Sequence, residues 1–413
     1  MANTVLTIDV IAKEALRILD NELVMAKQVY RGLESEFGNA MNGYEAGDTV
    51  SIRRPTDFTV RDGATSSNQD VVEGKVAITV DKQKGVDFGF TSKELTLNIG
   101  ELSDRVIRPA MVQLANQVDA DLMALYKSVP SWVGTPGQKV DSYADFSAGP
   151  ERLDEYAVPQ ADRSAVLSPA DHWGLLGSQT ALYIQDAAKG AYRNGSLGMI
   201  GGVDTYMAQN VPTHTVGVAT GTPLVAGAGQ TSNYVDVKDT MIQTLNTDGW
   251  TNSTNGILKA GDVFTIAGVY AVNPVTKATL PFLKQFVVMA DANSGATTGP
   301  AALTIYPAII ATGAFQNVSA APADNAAITV LGTGGTGYRQ NMVFHKNAFA
   351  LAMVPMISPP GAVQVSRQSY KGTSVRLIPT YDGTNDKSNF RLDILYGTKA
   401  IDPRLATRLS GAA

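Results

Sequence analysis

The sequence predicts an α+β protein with an all-β module inserted into it, and three observations lead there. Two segments, Ile8 to Leu23 and Leu102 to Tyr126, repeat their apolar residues at helical spacing. Gly47 to Phe90 repeats them at a period of two. From residue 218 to 340 helical periodicity gives way to short β-type runs set among Gly, Thr, Ser, Asn and Ala. With 413 residues, 44% of them hydrophobic and 17% charged, the chain is long enough for two or three domains with a sizeable core.

Along Ile8 to Leu23, the residues Ile8, Ile11, Ala12, Ala15, Leu19 and Leu23 share one face, while Lys13, Glu14, Arg17 and Asp20 fall mostly on the other. Two readings stand side by side: a helix packed on its own domain, or an arm laid on a neighbouring subunit. Strands follow, carrying Val50 with Ile52, Phe58 with Val60, Val76 to Val80, and Val86, Phe88 and Phe90. Between them Arg61 to Asp70 is polar and rich in turn formers, which predicts a long hairpin with a solvated tip. Its charges (Arg53, Arg54, Arg61, Asp62) suit something that reaches a neighbour better than they suit a compact monomer.

The longest helix opens near Ser103 and Asp104 and carries Leu102, Val106, Ile107, Met111, Leu114, Val118, Leu122 and Leu125. Pro109 predicts a kink or restart near its beginning, because the ring removes a donor and clashes with the preceding turn. Leu153 to Val211 reads as mixed α/β, with Ala165 to Leu167 leading into a capped helix start at Ser168-Pro169-Ala170-Asp171. Beyond the β module, Met342 to Leu351 opens a further α/β stretch, and Val375 to Pro379 and Phe390 to Gly397 alternate like strands. One α/β domain, interrupted by the insertion and resumed after it, is the economical account.

The formal net charge is only -5 and the Lys and Arg residues are scattered, which argues against tight, direct nucleic-acid binding. The absence of cysteine excludes disulfides, thiol nucleophiles and thiolate metal sites, and suits assembly in a reducing cytoplasm. Neither a secretory leader nor a membrane span is expected, since Met1 to Asp9 lacks the pattern and no run approaches roughly 18 apolar residues. His172, His214 and His345 lie in different segments with no second ligand at metal spacing, so each reads as a surface or packing residue. Gly195-Ser196-Leu197-Gly198 has the wrong spacing for a nucleophile elbow.

Gly332-Thr333-Gly334-Gly335-Thr336-Gly337, directly after Ile328 to Leu331, formally matches the dinucleotide fingerprint. The acidic residue due about twenty positions on is missing and no βαβ unit surrounds it, so a flexible hinge is the better reading. No catalytic residue, metal ligand or cofactor is expected. A chain this large without a site points to a structural or binding role.

The order of parts, together with Ile107-Arg108-Pro109-Ala110, Leu114 to Leu122, Leu167 to Asp171, Gly261 to Val269, Asn341 to Ala350 and Arg391 to Gly397, resembles the major coat proteins of tailed bacteriophages, in the podovirus-type branch that carries an insertion domain. The resemblance implies an HK-ninety-seven-like phage capsid fold. Residues 1–46 would be the N-terminal arm and 47–90 the extended loop. Residues 91–160 would be the peripheral domain with its spine helix at 102–126, 161–217 the first part of the axial domain, 218–340 the inserted β-rich domain, and 341–413 the second axial/peripheral part.

The function implied is self-assembly of hexamers and pentamers into an icosahedral shell, aided by scaffolding and portal proteins, formed in the host bacterial cytoplasm and enclosing double-stranded DNA without tight binding. No membrane partner is implied. Inter-subunit contacts would fall on Arg53, Arg54, Arg61, Asp62 and Asp70 of the extended loop, and on Lys13, Glu14, Arg17 and Asp20 of the arm. Asp239 and Asp248, in an insertion-domain loop from Val237 to Asn252, complete the set. Each exposed ion pair contributes about 0 to 1 kcal/mol, and repetition over a shell supplies the rest. Two rivals are a β-rich tail-tube or adhesin subunit, against which the long helix argues, and a nucleotide-binding enzyme using the Gly332 to Gly337 loop.

Overall fold

A computed structural model describes residues 8–33, 40–41, 44–45, 49–61, 63–66, 68–91, 106–180, 197–359, 365–370 and 372–412. The chain divides into two compact units: one gathers residues 1–51, 77–122 and 349–399, the other 52–76, 123–348 and 400–413.

In the first unit, α1 (Ile8–Glu22) buries Ile11, Ala12, Ala15, Leu16, Ile18 and Leu19 against the strands Ser366–Tyr370 and Thr373–Asp382. The apolar face of this helix is therefore occupied by the chain's own sheet, and the charged face is left outside. The second helix, α2 (Arg108–Met123), follows a wider π-type turn at Val106 and Ile107. Pro109 is its second residue, directly after that turn. Leu102, Ser103 and Asp104 lie outside the described residues. Met111, Leu114, Val118 and Leu122 are buried along one side, as their spacing predicts.

Asp119, buried in α2, accepts from the backbone N–H groups of Val24 at 2.7 Å and Ala26 at 3.0 Å, and so fixes the turn that leaves α1. Burial pushes its carboxyl pKa upward, and the backbone donors of Val24, Ala26 and Met25 work against that shift. Asp119→Ala leaves two backbone donors without their acceptor, and urea unfolding of the unassembled subunit is expected to register a loss of about 2–4 kcal/mol. An unchanged midpoint would remove this contact from the account of stability.

The sheet of this unit runs Phe349–Met353, Lys387–Ala400, Thr373–Asp382, Ser366–Tyr370, with Lys82–Thr91 also paired to Lys387–Ala400, from Thr91 opposite Lys387 to Lys82 opposite Tyr396. Lys82–Thr91 is thus the strand expected around Val86, Phe88 and Phe90. Phe88 stacks on Phe390, the ring centroids 5.6 Å apart. Asp393, buried, is held by Arg376 directly opposite at 2.6 Å and by Arg391 at 2.8 Å. Gly85 faces Asp393 from the other side, where a Cβ would lie 2.5 Å from its Oδ1, so the carboxylate needs glycine there.

The second unit contains a six-stranded sheet in the order Trp132–Val133, Ala406–Leu409, Asn341–His345, Arg163–Leu167, Val203–Met207, Met199–Ile200. Helices α3 (Tyr143–Glu155) and α4 (Pro169–Thr180) flank it and share a core of Phe146, Leu153, Leu167, Leu175, Val343 and Leu409. Ser142 caps α3 in a reciprocal box with Asp145, and Ser168 Oγ accepts from Asp171 N at the start of α4, the capped start its sequence predicts. Tyr143–Glu155 packs on Ala406–Leu409 and Asn341–His345, within the second unit.

Residues 221–330 form the inserted module: six antiparallel strands in the order Gly221–Val225, Gln243–Trp250, Ala301–Tyr306, Thr279–Val288, Val263–Val272, Ile328–Val330. A bridge from Leu224 to Ala327 brings the first strand back to the last, closing the sheet into a small barrel. Its interior is filled by Leu245, Phe264, Phe286, Val288, Leu303 and Ile305. The module joins the rest of its unit through a two-stranded ribbon, Thr213–Thr215 against Gly337–Arg339.

Candidate functional site

Between the paired strands Thr49–Arg53 and Lys75–Thr79, residues 54–74 carry no regular secondary structure among those described, and nearly all of them are exposed or half-buried. Phe58 and Val60, expected in a strand, stand in this loop instead. Their side chains lack a cross-strand neighbour: Phe58 is 55% exposed, Val60 98% and Val71 66%. Order comes from side chains. Gln69 accepts from Thr59 N at 2.8 Å and donates to Thr59 O at 2.6 Å, and Arg61 folds back to donate to the carbonyls of Gly63 and of Thr65, the latter at 2.8 Å. At the base, Arg54 N donates to Gly74 O, and Asp239 Oδ1 accepts from Lys75 N at 3.0 Å. A Cβ on Gly74 would lie 2.3 Å from Lys238 O, so glycine permits that approach.

The expected contact residues thus separate. Arg53 is exposed and pairs with Glu73 at 3.3 Å, Asp70 is exposed, and Asp62 lies outside the described residues. Arg54 is half-buried and donates to Ile401 O at 3.2 Å. On α1, Arg17 pairs with Glu14 at 2.6 Å, while Lys13 is exposed and Asp20 half-buried. Val237 to Asn252 is not a loop: Gln243–Trp250 is a barrel strand whose inward residues are Gln243, Leu245 and Thr247. Asp239 holds the base of the extended loop, and Asp248 lies in the strand near Leu224, its Oδ1 buried without a hydrogen-bond partner among the described residues.

One constellation has the composition of a reactive centre. His214 Nε2 lies 2.7 Å from Asp262 Oδ1, and its Nδ1 lies 3.0 Å from the Tyr126 hydroxyl. Asp262 Oδ2 also accepts from Gly217 N and Lys259 N, at 3.0 and 2.7 Å. Arg408, fully buried, donates to Gly261 O at 2.7 Å and lies over the Tyr126 and Trp132 rings. Desolvation raises the Tyr126 pKa, which makes the phenol a poor proton donor or nucleophile. All four side chains are buried. Their positions, after the long helix (Tyr126), on the ribbon (His214), just before a barrel strand (Asp262) and on the last strand (Arg408), make them a buried tie between the barrel and the rest of its unit.

The glycine run at 332–337 is a tight turn closing on Val216 to Val218. Gly335 N donates to Val216 O at 3.1 Å, a Cβ on Gly334 would meet Val218 O at 2.1 Å, and a strand follows where a nucleotide site requires a helix. The hinge expected here is therefore a bonded clasp, because the glycines serve close backbone approach. No group of three metal-ligating side chains occurs among the described residues, and no described helix is long and apolar enough to cross a membrane.

The chain thus combines a mixed α/β body, a closed barrel inserted into it and a loop with bare apolar side chains. The family model described as P22 coat protein, gene protein 5, matches residues 1–411, and the chain belongs to that family. With membership comes the phage capsid fold of the HK-ninety-seven-like type. The chain is 23% identical over 419 residues to the major capsid protein of Acyrthosiphon pisum secondary endosymbiont phage 1, covering 97% of each. Solved structures similar to it include one from Mycobacterium phage Che8, at 13% identity and a TM-score of 0.49 over 94% of this chain and 90% of that one. The CUS-3 coat protein I-domain is 31% identical over 27% of this chain and 96% of its own, with a TM-score of 0.19.

Proposed function

We propose that this major capsid protein closes by symmetry into an icosahedral shell of hexamers and pentamers, its extended loop finding on an adjoining copy the cover that its own chain does not supply. The observation that carries this reading is the exposure of Phe58, Val60 and Val71 on a loop ordered by its own side chains. Bare apolar groups in one projecting segment mark a surface that becomes buried on association. Arg53, Arg61, Asp62 and Asp70 would set the register of that contact, with Lys13, Glu14, Arg17 and Asp20 on the outer side of α1 as a second polar surface. Asp239 and Asp248 would act from the barrel.

In the same reading the first unit serves as the peripheral domain, and the six-stranded sheet of the second as the axial domain that bears the insertion. The shell forms in the host cytoplasm with scaffolding and portal proteins and becomes the virion wall. A net charge of -5 fits a wall that surrounds double-stranded DNA without gripping it. Negative-stain microscopy of the purified, overexpressed protein, with scaffolding protein supplied, is expected to reveal shells, tubes or sheets of hexameric texture. Compact monomers at high concentration, with residues 54–74 folded back on their own body, would overturn the proposal.

A further inference from the structure

Lys284 lies on the barrel strand Thr279–Val288 and is only 6% exposed. Among the described residues its ammonium has neither an ion pair nor a hydrogen-bond acceptor, and the contact it makes is with the Tyr156 ring, 4.7 Å from the centroid. A buried ammonium without an acceptor is costly, and the group responds as expected: burial, assisted by the Arg404 and Arg152 guanidiniums, pulls its pKa down to about 7.

The same side chain lines a cavity of about 340 Å³ within the second unit. Arg54, Lys277 and Arg404 also line it, against the acids Asp57 and Asp402. Two of these cations are engaged, Lys277 by Ala314 O and Arg404 by Asp402 at 2.7 Å. Arg54 is engaged only in part: one terminal nitrogen reaches Ile401 O, while its Nε is buried without a partner. The remaining walls are apolar, with Pro130, Tyr156, Pro274 and Phe315 among them. An ammonium without an acceptor and a partly engaged guanidinium therefore share one cavity with aromatic and proline surfaces.

We propose that this cleft binds a small amphipathic oxyanion of the phosphate monoester class, its head group accepting from Lys284 Nζ beside the Arg54 guanidinium and its apolar body resting on Tyr156, Pro274 and Phe315. The anion supplies the acceptor that the Lys284 ammonium lacks, which is the physical reason a lysine can remain in a strand flanked by core residues. The inference concerns the unassembled subunit and stands apart from how the shell closes.

Titration calorimetry of the full-length, unassembled protein with inorganic phosphate and with phenyl phosphate tests it. Phenyl phosphate is expected to bind at one site per chain and more tightly than inorganic phosphate, because only the ester has a ring to bury. Lys284→Met exchanges the ammonium for an apolar side chain of similar length, so the fold is retained and its melting temperature does not fall. Affinity for phenyl phosphate is expected to drop roughly tenfold or more, the worth of one charge-assisted hydrogen bond. Arg54→Gln, a second variant that leaves the barrel strand intact, weakens binding in the same direction, whereas Lys259→Ala, exposed and outside the cavity, leaves it unchanged. Absence of binding by either probe, or undiminished affinity in both Lys284→Met and Arg54→Gln, would overturn the proposal.

Discussion

Asp262→Ala is expected to destabilise the unassembled subunit by about 3–6 kcal/mol, a large part of the total of roughly 5–15 kcal/mol that a folded domain possesses. The carboxylate is fully buried and accepts from Gly217 N, Lys259 N and the His214 imidazole. Alanine leaves all three without an acceptor, at roughly 1–3 kcal/mol for each buried group. The disturbance reaches further, because Asp262 holds the imidazole whose other nitrogen lies 3.0 Å from the Tyr126 hydroxyl. Asp262→Asn keeps one carbonyl oxygen and should recover part of the loss. Urea unfolding at constant m value reads the effect directly. A wild-type midpoint for the alanine variant would show that the barrel is held by packing alone.

Replacing Phe58, Val60 and Val71 together by serine is expected to leave the melting temperature of the monomer unchanged and to stop shell formation at concentrations where the parent assembles. The monomer should not register the change, because these side chains are already in water. Burial of each on a neighbour is worth about 1.5–3 kcal/mol, and every 1.4 kcal/mol is a factor of ten in association. Three lost anchors per subunit raise the critical concentration by roughly a thousandfold or more, to be followed by light scattering and sedimentation. Shells formed at the parental concentration would mean that the loop's polar residues carry the contact instead.

The apolar face of α1 was legible because Ile11, Ala12, Ala15 and Leu19 follow the helical period without interruption, and α2 was legible for the same reason. The strand Gln243–Trp250 was hidden by polar inward residues. Gln243 donates to Gln230 O and Thr247 to Ala301 O inside the barrel, so the alternation exists but not in hydrophobicity. Phe58 and Val60 misled in the opposite direction, since an alternating apolar pair reads as a strand whether its cover lies within the chain or outside it. Asp119, Asp262, Arg408 and Lys284 carried no local signal, because their partners or cavities are formed by segments remote in sequence. Asp119, for instance, serves a turn 93 residues before it. The exposed charges of the extended loop could be named from composition, yet the Gln69 clasp that shapes it depends on a side chain closing on the backbone ten positions away.

The ribbon in which His214 sits opposite Tyr338 brings the barrel's incoming and outgoing strands side by side. The barrel is therefore a cassette: excising it leaves two chain ends already adjacent, which a short turn can rejoin at little entropic cost. Foreign domains whose own termini are close should graft at the same junction. The exchange is conditional on the ties the cassette makes, the Asp262 carboxylate on His214 and Gly217 among them. Arg408 now rests its guanidinium on a carbonyl the cassette provides, so any graft must either offer that oxygen again or arrive together with an apolar residue at position 408.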